Sequence, residues 1–220
     1  MRSLLSPLNL VILAGYALGA AALYVGLPDA IPPSFTRAAG GTIELGSLMV
    51  AFLLPTAVAL TDIQLRGLCI KHPVEESGSS DVLPIYDAIM LRFALFVIGV
   101  HAIVLLGVLG LLSGRDWATR IVPAMLGLVM ISIGNLLPRT RPNLAIGIRT
   151  RRTLSDRALW IRTHRSTGYL VVALGFVIVL SAIAVPAPIG RVMALVAGPA
   201  GLVGTCILVR HSSKHAHGDR

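Results

Sequence analysis

Residues 88–112 have the sequence AIMLRFALFVIGVHAIVLLGVLGLL, in which Arg92 and His101 are the only ionisable side chains. A helix of about 20 mostly apolar residues is long enough to cross the hydrocarbon core of a bilayer. This stretch is longer than that and lacks the alternation of a barrel strand. It therefore predicts a membrane-spanning helix.

Comparable apolar stretches recur along the chain, and together they predict six spans. The predicted spans are 8–27, 43–61, 88–112, 121–137, 169–186 and 189–209. The composition of the 220 residues agrees, because 55% are hydrophobic, 13% are charged and the mean hydropathy is +0.82. A disordered chain or an ordinary water-soluble domain would carry far more charge. We therefore predict an all-α fold, a polytopic membrane helical bundle with a short cytoplasmic surface helix.

The chain is expected to have four segments. A two-helix membrane region covers 1–62, a polar cytoplasmic linker 63–87, a four-helix core 88–210 and a flexible His-containing tail 211–220. The linker is predicted from its polar run of Glu, Ser and Gly residues. The first apolar run is longer than a signal-peptide core, so the first helix is expected to be retained.

The distribution of basic residues predicts the orientation, because cytoplasmic loops of membrane proteins are rich in Lys and Arg. With six spans both termini share a side, which carries 14 Lys and Arg against 4 on the opposite side. Both termini are therefore predicted to be cytoplasmic. The net charge of +9 is attributed to contact with anionic lipid rather than to direct binding of nucleic acid.

The connection between the fourth and fifth predicted spans is the most unusual part of the sequence. Residues 138–167, here called the arginine segment, contain eight Arg and one Asp, a net charge of +7. Pro138 and Pro142 prevent a continuous helix, so the chain is expected to leave the fourth span and run extended along the membrane surface. A short surface helix is predicted from Thr153, as its N-cap, to about Arg165.

Two interpretations of the arginine segment remain open. On the predicted surface helix, Trp160 and His164 are four residues apart and share a face, and Trp is a common anchor at the membrane interface. The segment could be a basic loop that adheres to lipid headgroups, or an ordered docking surface for a partner.

The order of residues here resembles the signature of the SdpI family of bacterial membrane proteins, which is named for a toxin-immunity protein. The candidate partner-binding residues in this motif are Gly134, Asn135, Pro138, Arg141, Pro142, Asn143, Gly147, Arg149, Thr150, Thr153, Trp160, Thr163, His164 and Arg165. Arg151-Arg152 stand where the family usually has Pro-Trp. Upstream, residues 27–35 resemble a segment of an uncharacterised domain often found before the SdpI core, with Ser34 in place of the usual His.

This resemblance implies an integral protein of the bacterial cytoplasmic membrane with a role in immunity or signal transduction. It implies that the protein acts by binding, with a secreted peptide toxin and a cytoplasmic transcriptional repressor as partners. The family brings no agreed catalytic residues and no cofactor. Whether the chain assembles into a homo-oligomer stays open.

The second hypothesis is a small transporter or channel, and it depends on His101. An ionisable group in the middle of a span is costly and by default indicates function, although a neutral His bonded to a neighbouring helix explains it equally well. An enzyme is not expected, because the motifs of metalloproteases, serine hydrolases and nucleotide-binding proteins are missing. The histidines of the tail are expected to be solvated rather than to bind a metal.

Small residues four apart predict where helix backbones approach closely. Gly15 and Gly19 form such a pair in the first span, and Ala200 and Gly204 form another in the last. These pairs favour close packing, either within the bundle or between protomers.

Overall fold

A computed structural model describes residues 6–26, 45–71, 79–112 and 115–184. In these ranges the long helices are α1 (Pro7–Val25), α2 (Leu45–Lys71), α3 (Ser79–Val108), α4 (Arg115–Gly134) and α6 (Arg157–Ala184). A 3-10 turn (Leu137–Arg139) follows α4, and a short helix α5 (Arg151–Ser155) precedes α6. The predicted all-α fold is confirmed for this part of the chain.

Five of these helices contain stretches that are long and apolar enough to cross a membrane. At most 33% of the residues in each apolar stretch are buried inside the protein, and large side chains such as Leu13, Phe176 and Leu180 are exposed. An apolar surface of this extent requires lipid around it. The prediction of a polytopic membrane bundle is thus confirmed, while the sixth predicted span (189–209) and the tail lie outside the described residues.

Helix α1 begins and ends where its sequence dictates. The Ser6 side chain accepts a hydrogen bond from the Asn9 N–H at 3.3 Å, and Pro7 occupies the first turn, where its missing N–H costs nothing. The helix ends at Gly26, whose φ of +128° is unfavourable for residues with a side chain. The predicted span 8–27 therefore differs from α1 only at its ends.

Helices α2 and α3 are longer than the spans predicted from hydropathy. Residues 63–71 and 79–87, which the sequence predicts as linker, are helical. Polar contacts hold these extensions together, because Arg66 forms an ion pair with Asp87 and its guanidinium lies 5.3 Å from the ring centroid of Tyr86. A helix stabilised by such contacts continues beyond its apolar stretch. Hydropathy therefore predicts the end of α2 too early and the beginning of α3 too late.

The predicted surface helix from Thr153 to about Arg165 is not a separate element. Helix α6 runs without a break from Arg157 to Ala184, so residues 157–165 form its first turns. At 1.5 Å per residue this helix is about 42 Å long, about 12 Å more than the hydrocarbon core. The polar first turns therefore continue the same helix as the apolar stretch instead of forming a separate surface helix.

The chain divides into two compact units, one of residues 1–63 and 93–115 and one of residues 64–92 and 116–220. In the first unit, buried Ala22, Ala51 and Leu105 form a small apolar core. The second unit contains the arginine segment.

The predicted close approach at Gly15 and Gly19 is confirmed in the first unit. A Cβ atom at Gly15 would lie 2.6 Å from the Ile98 side chain and 3.0 Å from that of Pro55. A Cβ atom at Gly19 would collide with the backbone carbonyl of Ala51. Backbone atoms cannot move aside as side chains can, so Gly19 is the more demanding position.

We expect Gly19→Ala to lower the free energy of unfolding by about 2 kcal/mol, because the added methyl group forces α1 away from the Ala51 carbonyl. The matched control is Gly107→Ala in α3, where an added Cβ would meet nothing within 4 Å. That change should be neutral or slightly stabilising, since Ala favours a helix over Gly. Denaturant titration in detergent followed by circular dichroism measures both, and equal effects would contradict the close approach.

Candidate functional site

The two helices that flank the arginine segment touch backbone to backbone at two points. A Cβ atom at Gly127 would lie 2.6 Å from the Gly175 carbonyl oxygen, and one at Gly168 would lie 2.7 Å from that of Gly134. These glycines are seven residues apart on each helix, so both contacts fall on one face of α4 and one face of α6. This pairing fixes the two ends between which the arginine segment must fold.

The first part of the segment is a compact turn rather than an extended chain. After α4, the 3-10 turn Leu137–Arg139 ends at Thr140, whose hydroxyl donates to the Leu137 carbonyl at 2.7 Å. Asn143 then closes a second turn, because its Oδ1 accepts from the N–H groups of Ala145 and Ile146 at 2.9 and 2.7 Å. Local bonds of this kind are what Asn and Thr supply where prolines prevent a helix.

Trp160 is fully buried, at 0% exposure, and is not an anchor in the membrane interface. Its indole N–H donates to the Thr140 carbonyl at 3.0 Å and lies 3.3 Å from the Thr140 hydroxyl. The indole therefore ties the first turns of α6 to the compact turn that precedes it by 20 residues. The anchor prediction is wrong because the folded segment covers the ring and also satisfies its donor.

His164 stacks on Trp160, with ring centroids 3.9 Å apart and an interplanar angle of 17°. Its Nδ1 donates to the Trp160 carbonyl at 2.9 Å, and its Nε2 accepts from the Ile148 N–H at 3.0 Å. A backbone carbonyl can only accept and a backbone N–H can only donate, so these partners fix the neutral tautomer with its proton on Nδ1. The ring thus joins α6 to residue 148 as a structural connector.

Gly147 makes the contact with His164 possible. Its φ is +108°, a conformation that residues with a side chain rarely adopt. A Cβ atom here would also collide with Nε2 of His164. The backbone can therefore reach the buried ring only because this residue is glycine.

A pair of threonines starts helix α5. Thr150, not Thr153, is the N-cap, and it accepts from the Thr153 N–H at 3.1 Å. Thr153 in turn accepts from the Thr150 N–H at 2.9 Å and donates to the Ile148 carbonyl at 2.7 Å. The predicted cap is thus displaced by three residues, because Thr153 completes a reciprocal capping box instead of opening the helix.

Asp156 caps the next helix. Its Oδ1 accepts from the Leu159 N–H at 3.0 Å at the start of α6, where a carboxylate also suits the positive end of the helix dipole. It is the one carboxylate in residues 120–184. A single carboxylate cannot balance eight arginines, so the arginine segment keeps a net charge of +7.

The arginines lie on the outside of the folded arginine segment, and all of them except the half-buried Arg141 are exposed. Arg149 donates to the Leu144 carbonyl, and Arg165 donates to the Tyr169 hydroxyl at 3.1 Å. The side chains of Arg139 and of four arginines on α5 and the first turns of α6 make no hydrogen bond or ion pair with any described residue; the four are Arg151, Arg152, Arg157 and Arg162. We call these four the exposed arginine set.

The remaining candidate residues fall into three groups. Gly134, Pro142 and Thr163 are buried in or beside the arginine segment. Pro138 packs against the position of Gly168. The Asn135 side chain is exposed, and its backbone N–H, rather than its amide, bonds locally to the Ile131 carbonyl at 3.1 Å. His101 is fully buried in the other unit and does not belong to this site.

Two features of the second unit were not predicted. Arg92 donates through Nε to the Ser132 hydroxyl at 2.6 Å, which joins α3 to α4, and Thr140 receives the indole of Trp160. The seven-residue spacing of Gly127, Gly134, Gly168 and Gly175 was a usable signal for the α4 and α6 contact. Within the described ranges, no group of three His, Cys, Asp or Glu residues is arranged to hold a metal ion.

Comparison with known sequences finds a family match that covers most of the arginine segment and continues beyond it. A family model described as the SdpI/YfhL protein family matches residues 139–209, about a third of the chain. The resemblance to the SdpI family is thereby confirmed for that part, and Gly134, Asn135 and Pro138 lie just before it. Neither a curated protein nor a solved structure matches the chain.

Proposed function

We propose, from the SdpI/YfhL match over residues 139–209, that this multi-pass membrane protein acts by binding and without catalysis. It resides in the bacterial cytoplasmic membrane with both termini in the cytoplasm. Its role is immunity to a secreted antimicrobial peptide, signal transduction through the arginine segment, or both. The partners are anionic lipid headgroups, the peptide toxin and a cytoplasmic repressor.

The observation that carries this proposal is that the arginine segment is folded. Trp160 and His164 are buried and hydrogen-bonded to residues 140 and 148, so the backbone that bears the arginines is held in one conformation. A loop that only adhered to headgroups would need no such internal order. The folded segment therefore favours a docking surface over the simpler alternative of a basic loop held by lipid.

The exposed arginine set defines the chemistry of that surface. Four guanidinium groups without a described partner attract phosphate or carboxylate, and each planar group can bind such an anion through two parallel hydrogen bonds. Near an anionic leaflet each basic residue contributes about 1 kcal/mol. The surface is thus suited to an acidic partner that approaches along the headgroup region.

Replacing the four residues of the exposed arginine set by Gln should lower protection against a secreted antimicrobial peptide by about tenfold or more, since four charges at about 1 kcal/mol each are lost. The assay compares survival of susceptible cells that express the variants at equal membrane levels. The matched control replaces the same four residues by Lys, which keeps the charge and should retain part of the protection. Equal protection by the Gln variant and the unchanged protein would contradict the proposed surface.

A cysteine at position 152 in a cysteine-free background should react with a membrane-impermeant maleimide only after the cells are permeabilised. We expect this because the excess of Arg predicts that the arginine segment faces the cytoplasm. A second variant, Ser34→Cys, reports the predicted outer loop and should react in intact cells. Reaction of position 152 in intact cells would overturn the proposed orientation.

A further inference from the structure

Helix α3 carries a charged side chain in its apolar stretch that the proposed function does not use. Arg92 lies in the stretch Val82–Val108 and is half-buried. Its Nε donates to the Ser132 hydroxyl at 2.6 Å, and its Nη1 donates to the Ala88 carbonyl at 2.7 Å. Both acceptors are neutral. An ionisable group in a membrane-spanning helix commonly marks a functional site, and its partner has to be identified.

No carboxylate neutralises Arg92 among the residues that the structure describes. Asp87, five residues earlier on α3, is paired with Arg66. Asp156 is the one carboxylate in residues 120–184, and it caps α6. Arg92 itself forms no ion pair with a described residue. The positive charge therefore needs an anion from outside the described chain.

Unused hydrogen-bond donors surround this charge. A guanidinium has five N–H groups in a planar fork, and Ser132 and Ala88 take only two of those of Arg92. The unpaired donors are accessible from outside, because no nitrogen of Arg92 is among the enclosed atoms that lack a partner. The Ser132 hydroxyl accepts from Arg92, and its own proton has no described acceptor. Adjacent unused donors on a guanidinium and a hydroxyl suit an anion.

The register between α4 and α6 fixes the depth of this guanidinium in the membrane. The two glycine contacts described above join antiparallel helices, so Ser132 lies level with Leu170. The next residue, Tyr169, is 62% exposed, and exposed Tyr is typical of the interface between hydrocarbon and headgroups. Helix α4 ends two residues after Ser132. The guanidinium of Arg92 therefore lies at the edge of the hydrocarbon, on the side of the membrane that carries the arginine segment.

The depth selects the kind of anion. Phe93 and Leu95, close to Arg92 on α3, are 37% and 53% exposed, so apolar surface meets lipid next to the charge. A phospholipid carries its phosphate at the edge of the hydrocarbon, whereas a dissolved anion or an acidic soluble protein stays in water. Two phosphate oxygens can accept parallel hydrogen bonds from one guanidinium. A lipid phosphate thus has both the chemistry and the position that the site requires.

We propose that Arg92 and Ser132 bind the phosphate group of an anionic phospholipid beside α3 and α4. The free N–H groups of Arg92 and the Ser132 hydroxyl donate to the phosphate oxygens. An anionic lipid is preferred over a zwitterionic one, because it brings no second cation to the guanidinium. The site is distinct from the exposed arginine set, which lies on α5 and the first turns of α6. It does not depend on the docking of a protein to that set.

The test measures the affinity of the full chain for phosphatidylglycerol in detergent, by native mass spectrometry of the first lipid bound. Arg92→Gln should lower this affinity by about tenfold or more, because the charge and the fork of donors are both lost. Ser132→Ala removes one donor and should lower it by roughly threefold. Arg92→Lys keeps the charge without the planar fork and should give a loss between that of Arg92→Gln and none.

The matched control is Arg120→Gln, which removes the same charge near the other end of α4, where the guanidinium donates to the Ala182 and Ile183 carbonyls. It should leave the affinity unchanged. Two further ligands identify the source of the phosphate: diacylglycerol has the chains without the phosphate, and inorganic phosphate has no chains. Neither should compete with phosphatidylglycerol, and equal competition by inorganic phosphate would overturn the assignment to lipid.

Equal affinities of the unchanged protein and Arg92→Gln would also overturn the proposal. The melting temperature of each variant in lipid-free detergent separates binding from a structural role. If Arg92 only joins α3 to α4, its replacement lowers the melting temperature and leaves the lipid affinity of the folded protein unchanged. If Arg92→Gln does not fold, Ser132→Ala decides the outcome, and an unchanged affinity in that variant contradicts the site.

Discussion

Trp160→Ala is expected to lower the free energy of unfolding by about 3–5 kcal/mol, the usual cost of removing a fully buried aromatic side chain. The substitution deletes the ring on which His164 stacks at 3.9 Å and the indole N–H that reaches the Thr140 carbonyl. The compact turn and the first turns of α6 should then separate. Denaturant titration of the purified protein in detergent measures the loss.

The neighbouring residue provides a matched control. Ile161 is 45% exposed and lies about 100° around the same helical turn from Trp160, so Ile161→Ala should change the free energy of unfolding by less than about 1 kcal/mol. Trp160→Phe keeps an aromatic ring but loses the donor, and we expect an intermediate loss of about 1–2 kcal/mol. Equal losses for Trp160→Ala and Ile161→Ala would show that the indole does not organise the segment.

The spanning helices are the part of this structure that the sequence predicts best. Long apolar stretches predict the spanning helices well, because a helix in lipid needs little more than length and hydropathy. Five of the six predicted spans correspond to described helices. Their ends are less predictable, since polar pairs such as Arg66 with Asp87 extend a helix without adding any apolar residue.

The candidate site was harder to predict for a different reason. Trp160 and His164 were correctly placed on one face of a helix, but their burial depends on Thr140 and Ile148, which lie in an irregular segment. Helical spacing says nothing about such a segment. Charge predicted which residues would be exposed, and it could not predict that the backbone carrying them is folded.

Helical spacing also predicts that Leu154, Ala158 and Ile161 share one face, and this prediction meets the same limit. Ala158 and Ile161 are exposed, whereas the buried face of α6 includes the polar residues Thr163 and Thr167. In a membrane helix the apolar side chains face lipid and small or polar ones face the neighbouring helix. Periodicity therefore locates two faces, and only the partner helix shows which of them is inside.

Gly147→Ala should lower the free energy of unfolding by about 3 kcal/mol, which combines the strain of a positive φ with a steric clash. A methyl group at this position collides with Nε2 of His164, so the hydrogen bond from the Ile148 N–H must break. The ring of His164 loses the partner that fixes its tautomer. The ¹⁵N chemical shifts of that ring should change along with the stability measured in detergent.

Gly110→Ala separates the two contributions, because Gly110 has a φ of +70° but open space around it. It should show the conformational cost alone, about 1 kcal/mol. Adding His164→Ala to Gly147→Ala removes the atom that the methyl group strikes, so the double variant should be more stable than the sum of the single changes predicts. Simple additivity would mean that Gly147 is required only for its backbone conformation, and that the close contact with His164 does not hold the arginine segment in place.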